Sequence, residues 1–261
     1  MTRGGLYLKT AGLPGVLAVL AHDAVRLPCG LVLASTSAEL PLTSLARPDQ
    51  SAAFVVGDGE VSWTGPVGPV VVRAVRGWAP ARLAPGQVAP GAVVAVRSRL
   101  SGADPGVGSR LLADLADSSR DHDASVTSAT RLLGNGPGLT PSGDDVLAGF
   151  LAGAVAFGLD AAALREATAV LAPARTTALS AALLWHAARG ECIDELAGLA
   201  AVLTRQRWRG PEQAGPAVSA LLSVGHTSGA ALALGLVTAA ERALAVAGPA
   251  EIGRPATGDA A

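Results

Sequence analysis

The sequence predicts an α+β protein in which a small β-rich domain precedes an α-helical domain. Short valine-rich runs separated by glycine and proline turn signals fill roughly the first hundred residues. Near residue 103 these runs give way to longer segments rich in alanine and leucine. We therefore expect a β-rich domain over residues 1–103, a helical domain over 104–247, and a flexible tail over 248–261.

In the N-terminal third, the strands are predicted from runs of branched side chains. Turns such as Gly57-Asp58-Gly59 bound these runs, which cover residues 31–33, 53–56, 70–75 and 93–100. Partial alternation of apolar and polar residues is typical of strands with one solvated face. These features predict a small antiparallel barrel or sandwich. The segment 13–24 is predicted to form a short helix.

In the C-terminal part, apolar periodicity predicts a series of helices. An amphipathic helix is expected around residues 111–115, followed by a polar, solvated loop over 117–130. Asp160 is a predicted N-cap, and Pro173 predicts a break. The remaining predicted helices cover residues 145–159, 161–171, 176–189, 194–206, 211–224 and 228–247.

Composition excludes several classes of function. The formal net charge of −1 and the pI near 6.4 provide no basic field for nucleic acid or an anionic membrane. The longest apolar run, 146–159, is shorter than the roughly 20 residues needed to cross a bilayer. Cys29 and Cys192 lack metal-type spacing, and both are expected to be buried. With no signal peptide recognisable at the N-terminus, we expect a cytoplasmic protein.

The most specific segment is the glycine-rich stretch from Gly134 to Asp145, GNGPGLTPSGDD, which directly precedes an apolar helix. Its glycines permit unusual backbone angles and let a ligand approach the main chain. Thr140 fits an N-cap with Pro141 at the first helical position, and Ser142 with Asp145 fits a capping box. In either register the helix start exposes N–H groups, which can hold an anion.

Asp144 and Asp145 admit three interpretations. They could bind a magnesium ion that bridges to a phosphate, or accept hydrogen bonds from an amide or carbamoyl group. They could also do no more than cap the helix. The stretch is not a P-loop, because no lysine follows the glycines, and no strand clearly precedes it as a dinucleotide fingerprint requires.

A second helix start repeats part of this pattern. Ser142-Gly143 is followed by Gly149, and Ser228-Gly229 is followed at the same distance by Gly235. The repeat indicates either close helix packing or two similar helix starts that converge on one site. His226 lies in the second start, where it could donate to an oxyanion or act as a general base. Arg175-Thr176-Thr177 offers a cation and hydroxyls that could hold a carboxylate.

The glycine-rich stretch, with Leu147 and Gly149 after it, resembles the signature of a bacterial family. That family includes the smallest (AllH-like) subunit of the three-component oxamate carbamoyltransferase of anaerobic allantoin degradation. The motifs around 175–177 and 225–229 resemble weaker family motifs, so the resemblance covers about residues 110–240. It implies participation in the phosphorolysis of oxalurate to oxamate and carbamoyl phosphate, alongside two larger partner subunits.

On this interpretation, phosphate, carboxylate and carbamoyl groups are bound by amides, hydroxyls and a cation. The predicted catalytic residues are Asp144, Asp145 and His226, with magnesium as the expected ion on the two aspartates. The predicted substrate-binding residues are Asn135, Gly136, Gly138, Thr140, Ser142, Gly143, Arg175, Thr176, Thr177, Thr227, Ser228 and Gly229. The alternative is a non-catalytic subunit that binds a small anion or supports larger partners.

Overall fold

The computed structural model of the chain describes residues 4–46, 54–117 and 121–248. The predicted α+β class is confirmed. The strands are β1 Gly5–Lys9, β2 Val16–Leu20, β3 Gly30–Val32, β4 Phe54–Gly57, β5 Glu60–Gly65, β6 Gly68–Arg73, β7 Ala81–Arg82 and β8 Glu191–Cys192. The α-helices are α1 Pro90–Arg99, α2 Ser109–Asp117, α3 His122–Leu132, α4 Ser142–Ala156, α5 Ala162–Arg175, α6 Ala178–Ala187, α7 Asp194–Val202, α8 Ala214–Leu222 and α9 Ser228–Ala247.

The N-terminal region consists of two open three-stranded sheets, ordered β1-β2-β3 and β4-β5-β6. The sheets share a small core to which Leu6 and Val19 contribute from the first sheet, and Val61 and Trp63 from the second. The prediction of a β-rich region is confirmed, but the sheets do not close into a barrel, and β2 pairs with β3 in parallel. Strand β7 pairs instead with β8, which lies between α6 and α7. This pairing joins the end of the β-rich segment to the helical part.

Two secondary-structure predictions for the N-terminal third were wrong. The segment 13–24 contains β2 rather than a helix, because Gly12 and Gly15, with positive φ, shape a turn that pairs β2 with β1. The segment 93–100 lies in α1 rather than in a strand. Pro90 suits the first turn of that helix, and the buried residues recur with the spacing of a helix face.

The helical part also differs from prediction in detail. The segment 117–130, predicted to be a loop, contains α3, whose start is capped by Asp121 through the amide of Ala124 at 2.7 Å. Helix α5 continues through Pro173, where a break was expected, and ends at Arg175. The bounds of α9 agree with prediction. The predicted tail from residue 249 onward lies outside the described residues.

Helices α4 and α9 run side by side and in parallel through the core, with their N-termini together. Gly149 of α4 packs against the carbonyl oxygen of Leu232, and Gly235 of α9 packs against that of Val146. By length and composition α9 could cross a membrane, but 61% of its apolar window is buried inside the protein. This burial is typical of a core helix. The repeated glycines therefore serve close helix packing, one of the two predicted alternatives.

Replacing Gly149 or Gly235 with alanine is expected to destabilise the fold by about 3 kcal/mol or more, because the added methyl meets a helix backbone that cannot yield. The control is Gly198→Ala in α7, where a methyl meets no atom within 4 Å. That variant should gain roughly 0.5–1 kcal/mol from helix propensity. Urea unfolding measures all three variants. A Gly149→Ala protein as stable as the wild type would contradict this packing.

Candidate functional site

The segment from Gly134 to Thr140 is an exposed loop whose path requires glycine at alternate positions. Gly134, Gly136 and Gly138 have φ of 75°, 115° and 96°, values that side chains with a Cβ rarely adopt. A Cβ on Gly134 would also collide with the carbonyl oxygen of Arg175. The loop is thus held against the segment that enters α6.

The start of α4 matches neither predicted capping register. The helix begins at Ser142 after Pro141, and no side chain caps it. The Gly143 amide donates to the Asn135 carbonyl oxygen at 2.8 Å, so it is not free for a ligand. Within the described ranges, the amides of Gly136 and Gly138 have no hydrogen-bond partner, and both residues are exposed. These two amides remain the loop donors available to an anion.

Asp144 fixes the loop to α6. One carboxylate oxygen accepts from the Gly134 amide at 2.8 Å, and the other accepts from the Thr176 hydroxyl. Burial raises the pKa of Asp144, whereas the Thr176 hydroxyl and the Gly134 amide act to lower it. Because both carboxylate oxygens accept hydrogen bonds within the protein, Asp144 holds the glycine-rich loop in place and has no oxygen left for a ligand.

Asp145 has a different environment, although it is the next residue. Its side chain is 6% exposed and lines a cavity, and its Oδ2 atom has no hydrogen-bond partner in the described structure. The pKa of Asp145 is raised to about 7, mainly by burial and in smaller part by the nearby Asp144 carboxylate. The hydroxyls of Ser228 and Thr140 counteract part of this shift. Asp145 is therefore a carboxyl group that exchanges its proton near neutral pH.

The two predicted helix starts meet at this point. The hydroxyls of Thr140 and Ser228 lie 3.2 Å apart, and those of Ser142 and Thr227 lie 3.1 Å apart. The two helix starts therefore converge in space as well as packing closely, and their action as one site stays a prediction. The turn at Gly106, which the sequence did not single out, packs against Ser142.

The cavity beside Asp145 has a volume of about 340 Å³ and mostly apolar walls. Leu139, Leu179 and Leu183 belong to these walls, and Thr140 and Ser228 are among the few polar groups. Lysine, arginine and histidine are absent from the described lining. Distant segments also contribute to the cavity, and no local sequence pattern marks these residues, namely Tyr7, Val25, Leu27, Glu191 and Cys192.

Four of the predicted site residues point elsewhere or bind within the protein. Arg175 is exposed and donates to the Thr130 carbonyl oxygen at 3.4 Å, and the Asn135 side chain donates to the Arg131 backbone carbonyl oxygen at 3.4 Å. Thr177 caps α6 through the Ser180 amide at 3.0 Å and donates to the Leu139 carbonyl oxygen at 2.6 Å. The remaining one is Gly229, which packs against the Leu221 carbonyl oxygen.

His226 is exposed at the second helix start, and its side chain makes no hydrogen bond within the described part of the chain. It lies two residues before Ser228, the first residue of α9, and its side chain faces solvent. His226 is therefore open to a ligand or to a neighbouring protein, and its catalytic role stays a prediction.

The predicted magnesium ion would have few ligands from this chain. Among the described residues, no group of three His, Cys, Asp or Glu side chains is close enough to hold a metal ion. Asp144 uses both oxygens in hydrogen bonds, which leaves Asp145 as the aspartate with a free oxygen. Magnesium stays a prediction, and most of its ligands would have to come from substrate, water or a partner.

Replacing Asp144 with asparagine is expected to lower stability by roughly 1–2 kcal/mol, because asparagine offers one acceptor oxygen to two donors, the Gly134 amide and the Thr176 hydroxyl. The Gly134 amide hydrogen should exchange faster in this variant, and the free energy of unfolding should fall. Asp160→Asn is the matched control: Asp160 is exposed, accepts from the Ala162 amide at 3.0 Å, and asparagine can replace it there. Equal stability of the two variants would contradict the role of Asp144.

Comparison with known proteins identifies one family match, over the helical part of the chain. Residues 132–240 match the sequence model of a family described as oxamate carbamoyltransferase subunit AllH. The match begins just before the glycine loop and ends within α9, so it includes both helix starts and both aspartates. None of the solved structures matches the chain significantly. The resemblance predicted from the glycine-rich stretch is confirmed: residues 132–240 are similar to the AllH family, which is described as a subunit of oxamate carbamoyltransferase.

Proposed function

We propose that this chain is a subunit of a carbamoyltransferase that converts oxalurate and phosphate to oxamate and carbamoyl phosphate. In this proposal the carbamoyl group binds at the Asp145 end of the cavity. The observation that carries it is a buried carboxyl group with one unpartnered oxygen and a pKa of about 7, placed where two helix N-termini meet. The family description supports the reaction class.

The chemistry needs a group that delivers a proton. A phosphate oxygen forms a bond to the carbamoyl carbon of oxalurate, and the bond from that carbon to the oxamate nitrogen breaks. The departing nitrogen takes a proton, which we assign to the Asp145 carboxyl group. A carboxyl with a pKa near the working pH is well suited to this role, because it is protonated often enough and donates readily. In the reverse direction the carboxylate takes the proton back.

The anionic groups are expected outside the cavity. Its described lining contains no cation, and burying a phosphate beside Asp145 without one would be unfavourable. The free amides of Gly136 and Gly138 lie on the loop that leads into the cavity wall at Leu139 and Thr140. We therefore place the phosphate at the loop and helix starts, where amides and helix dipoles stabilise negative charge.

We also propose that the chain acts together with partner subunits, because the matched family is described as a subunit. The exposed loop, His226 and Arg175 lie on the surface, where a partner could supply the missing cations. The same lack of cations supports a second candidate, in which the chain is a non-catalytic subunit that binds a small anion or supports its partners.

Reconstitution with the partner subunits separates the two candidates. Carbamoyl phosphate formation from oxalurate is measured with and without this chain, with and without phosphate, and after removal of magnesium by a chelator. We expect phosphate-dependent product only when the chain is present. A complex that turns over equally well without the chain would assign it a supporting role, and activity that survives chelation would remove magnesium from the proposal.

A further inference from the structure

A second and larger cavity, of about 780 Å³, lies between the β1–β2 turn and helices α5 and α6. Helix α6 separates it from the Asp145 cavity: Ala178 and Ala181 line the large cavity, whereas Leu179 and Leu183 line the small one. The proposed function makes no use of this space.

Positive charge is concentrated around this cavity. Lys9, Arg165 and Arg189 line it, and Glu166 is the one acid in the described lining. This excess of two positive charges contrasts with the formal net charge of −1 for the whole chain. Neither Lys9 nor Arg165 has an ion-pair partner in the described structure. Such a local excess attracts an anion.

Two polar atoms in residues that line the cavity have no hydrogen-bond partner in the described structure. They are the Thr168 hydroxyl, in a side chain only 3% exposed, and the indole N–H of Trp185. The Arg189 guanidinium lies over the Trp185 ring at 3.6 Å. Both atoms lie beneath the cavity surface, and the donors that are open to a ligand are those of the three cationic side chains.

We propose that this cavity binds a small organic anion. Its oxyanion group, a phosphate or a carboxylate, pairs with Lys9, Arg165 and Arg189. Its apolar part lies against the walls formed by residues such as Leu13, Ala172 and Leu184. The volume is within the range of small-molecule sites and far exceeds that of inorganic phosphate, so the organic part contributes to binding.

A bound anion would also lie next to Thr176, which connects the large cavity to the glycine-rich loop through Asp144. Thr176 lines the large cavity and donates its hydroxyl to Asp144, which in turn holds the Gly134 amide. Occupation of the large cavity is therefore expected to slow hydrogen exchange at Gly134. This link concerns the structure of the loop and does not depend on the reaction proposed above.

Three probes test the site on the full chain: phenyl phosphate, inorganic phosphate and the neutral benzyl alcohol. Trp185 fluorescence reports binding, with Trp185→Phe to identify the signal. Lys9 is the chain's one lysine, so its protection from amine-reactive labelling provides an independent readout by mass spectrometry. Phenyl phosphate should bind most tightly and protect Lys9. Arg165→Gln should weaken it roughly tenfold, and Arg110→Gln, an exposed arginine outside the cavity, should leave it unchanged.

Several results would overturn the proposal. If benzyl alcohol bound as tightly as phenyl phosphate, charge would play no part in binding. If inorganic phosphate bound as tightly as phenyl phosphate, the apolar walls would contribute nothing to binding. Unchanged affinity in Arg165→Gln, or no saturable binding of phenyl phosphate with Lys9 still fully labelled, would remove the site. Loss of carbamoyl transfer in a reconstituted complex has no bearing on any of these readouts, so the two proposals fail separately.

Discussion

Asp145→Asn is expected to lower phosphorolytic turnover of the reconstituted complex by roughly 10²–10⁴-fold, the usual contribution of a positioned proton donor. Asparagine has nearly the same shape but cannot deliver a proton to the departing oxamate nitrogen. Because the side chain lies in the cavity wall and its Oδ2 atom has no hydrogen-bond partner, the substitution breaks no identified contact of that atom. The loss should therefore appear in kcat more than in KM.

The control for this effect is Asp160→Asn, which makes the same chemical change at an exposed aspartate whose side chain accepts from the Ala162 amide; the N-cap of α5 is Ala161 rather than the predicted Asp160. Both variants should assemble with the partner subunits, which size-exclusion chromatography checks. Full turnover in Asp145→Asn would remove this carboxyl group from the mechanism. Loss of turnover in both variants would show that the effect is not specific to the site.

The second large effect is the pH dependence of folding stability. The pKa of Asp145 is raised from 3.8 to about 7, so the folded state binds a proton that the unfolded state releases. This contribution is fully present below pH 3.8 and is lost as the pH rises to about 7. At 1.36 kcal/mol per pKa unit, the total loss is on the order of 4 kcal/mol. Wild-type stability should therefore decline across this interval.

Urea unfolding at pH 5 and pH 8 measures most of this decline, about 3 kcal/mol, because about two of the three pKa units lie between these pH values. The Asp145→Asn protein should lack most of it, whereas Asp160→Asn should behave as the wild type does. Asp144 also has a raised pKa and adds a decline of the same sign to every one of these proteins. The difference between the wild type and Asp145→Asn therefore isolates Asp145. Equal pH dependence in the two proteins would mean that Asp145 titrates normally in the folded state.

Local chemistry made the glycine loop and the helix starts predictable. Glycine at 134, 136 and 138 is required by positive φ, and the repeated Ser-Gly pairs both open core helices. The segments predicted wrongly carry ambiguous local signals. A short valine-rich run such as 93–100 suits a strand or a buried helix equally well, and packing against α8 and α9 decides the outcome.

The distinction between Asp144 and Asp145 could not be predicted from the sequence. Successive residues on a helix point about 100° apart, and only the tertiary structure shows which one meets Thr176 and which one meets the cavity. The far walls of that cavity come from Tyr7 and Leu27 in the β-rich region and from Glu191 after α6. These contacts are distant in sequence, and no local pattern marks them.

The proposed role of Asp145 requires that its carboxyl group, inside the cavity, gains and loses its proton near neutral pH. Carbon-13 NMR of the aspartate carboxyl groups tests it directly, with Asp145→Asn to assign the signal. We expect one carboxyl signal that titrates near pH 7 and is absent from the variant. An Asp145 signal that titrates near pH 4, as an exposed aspartate does, would contradict the account.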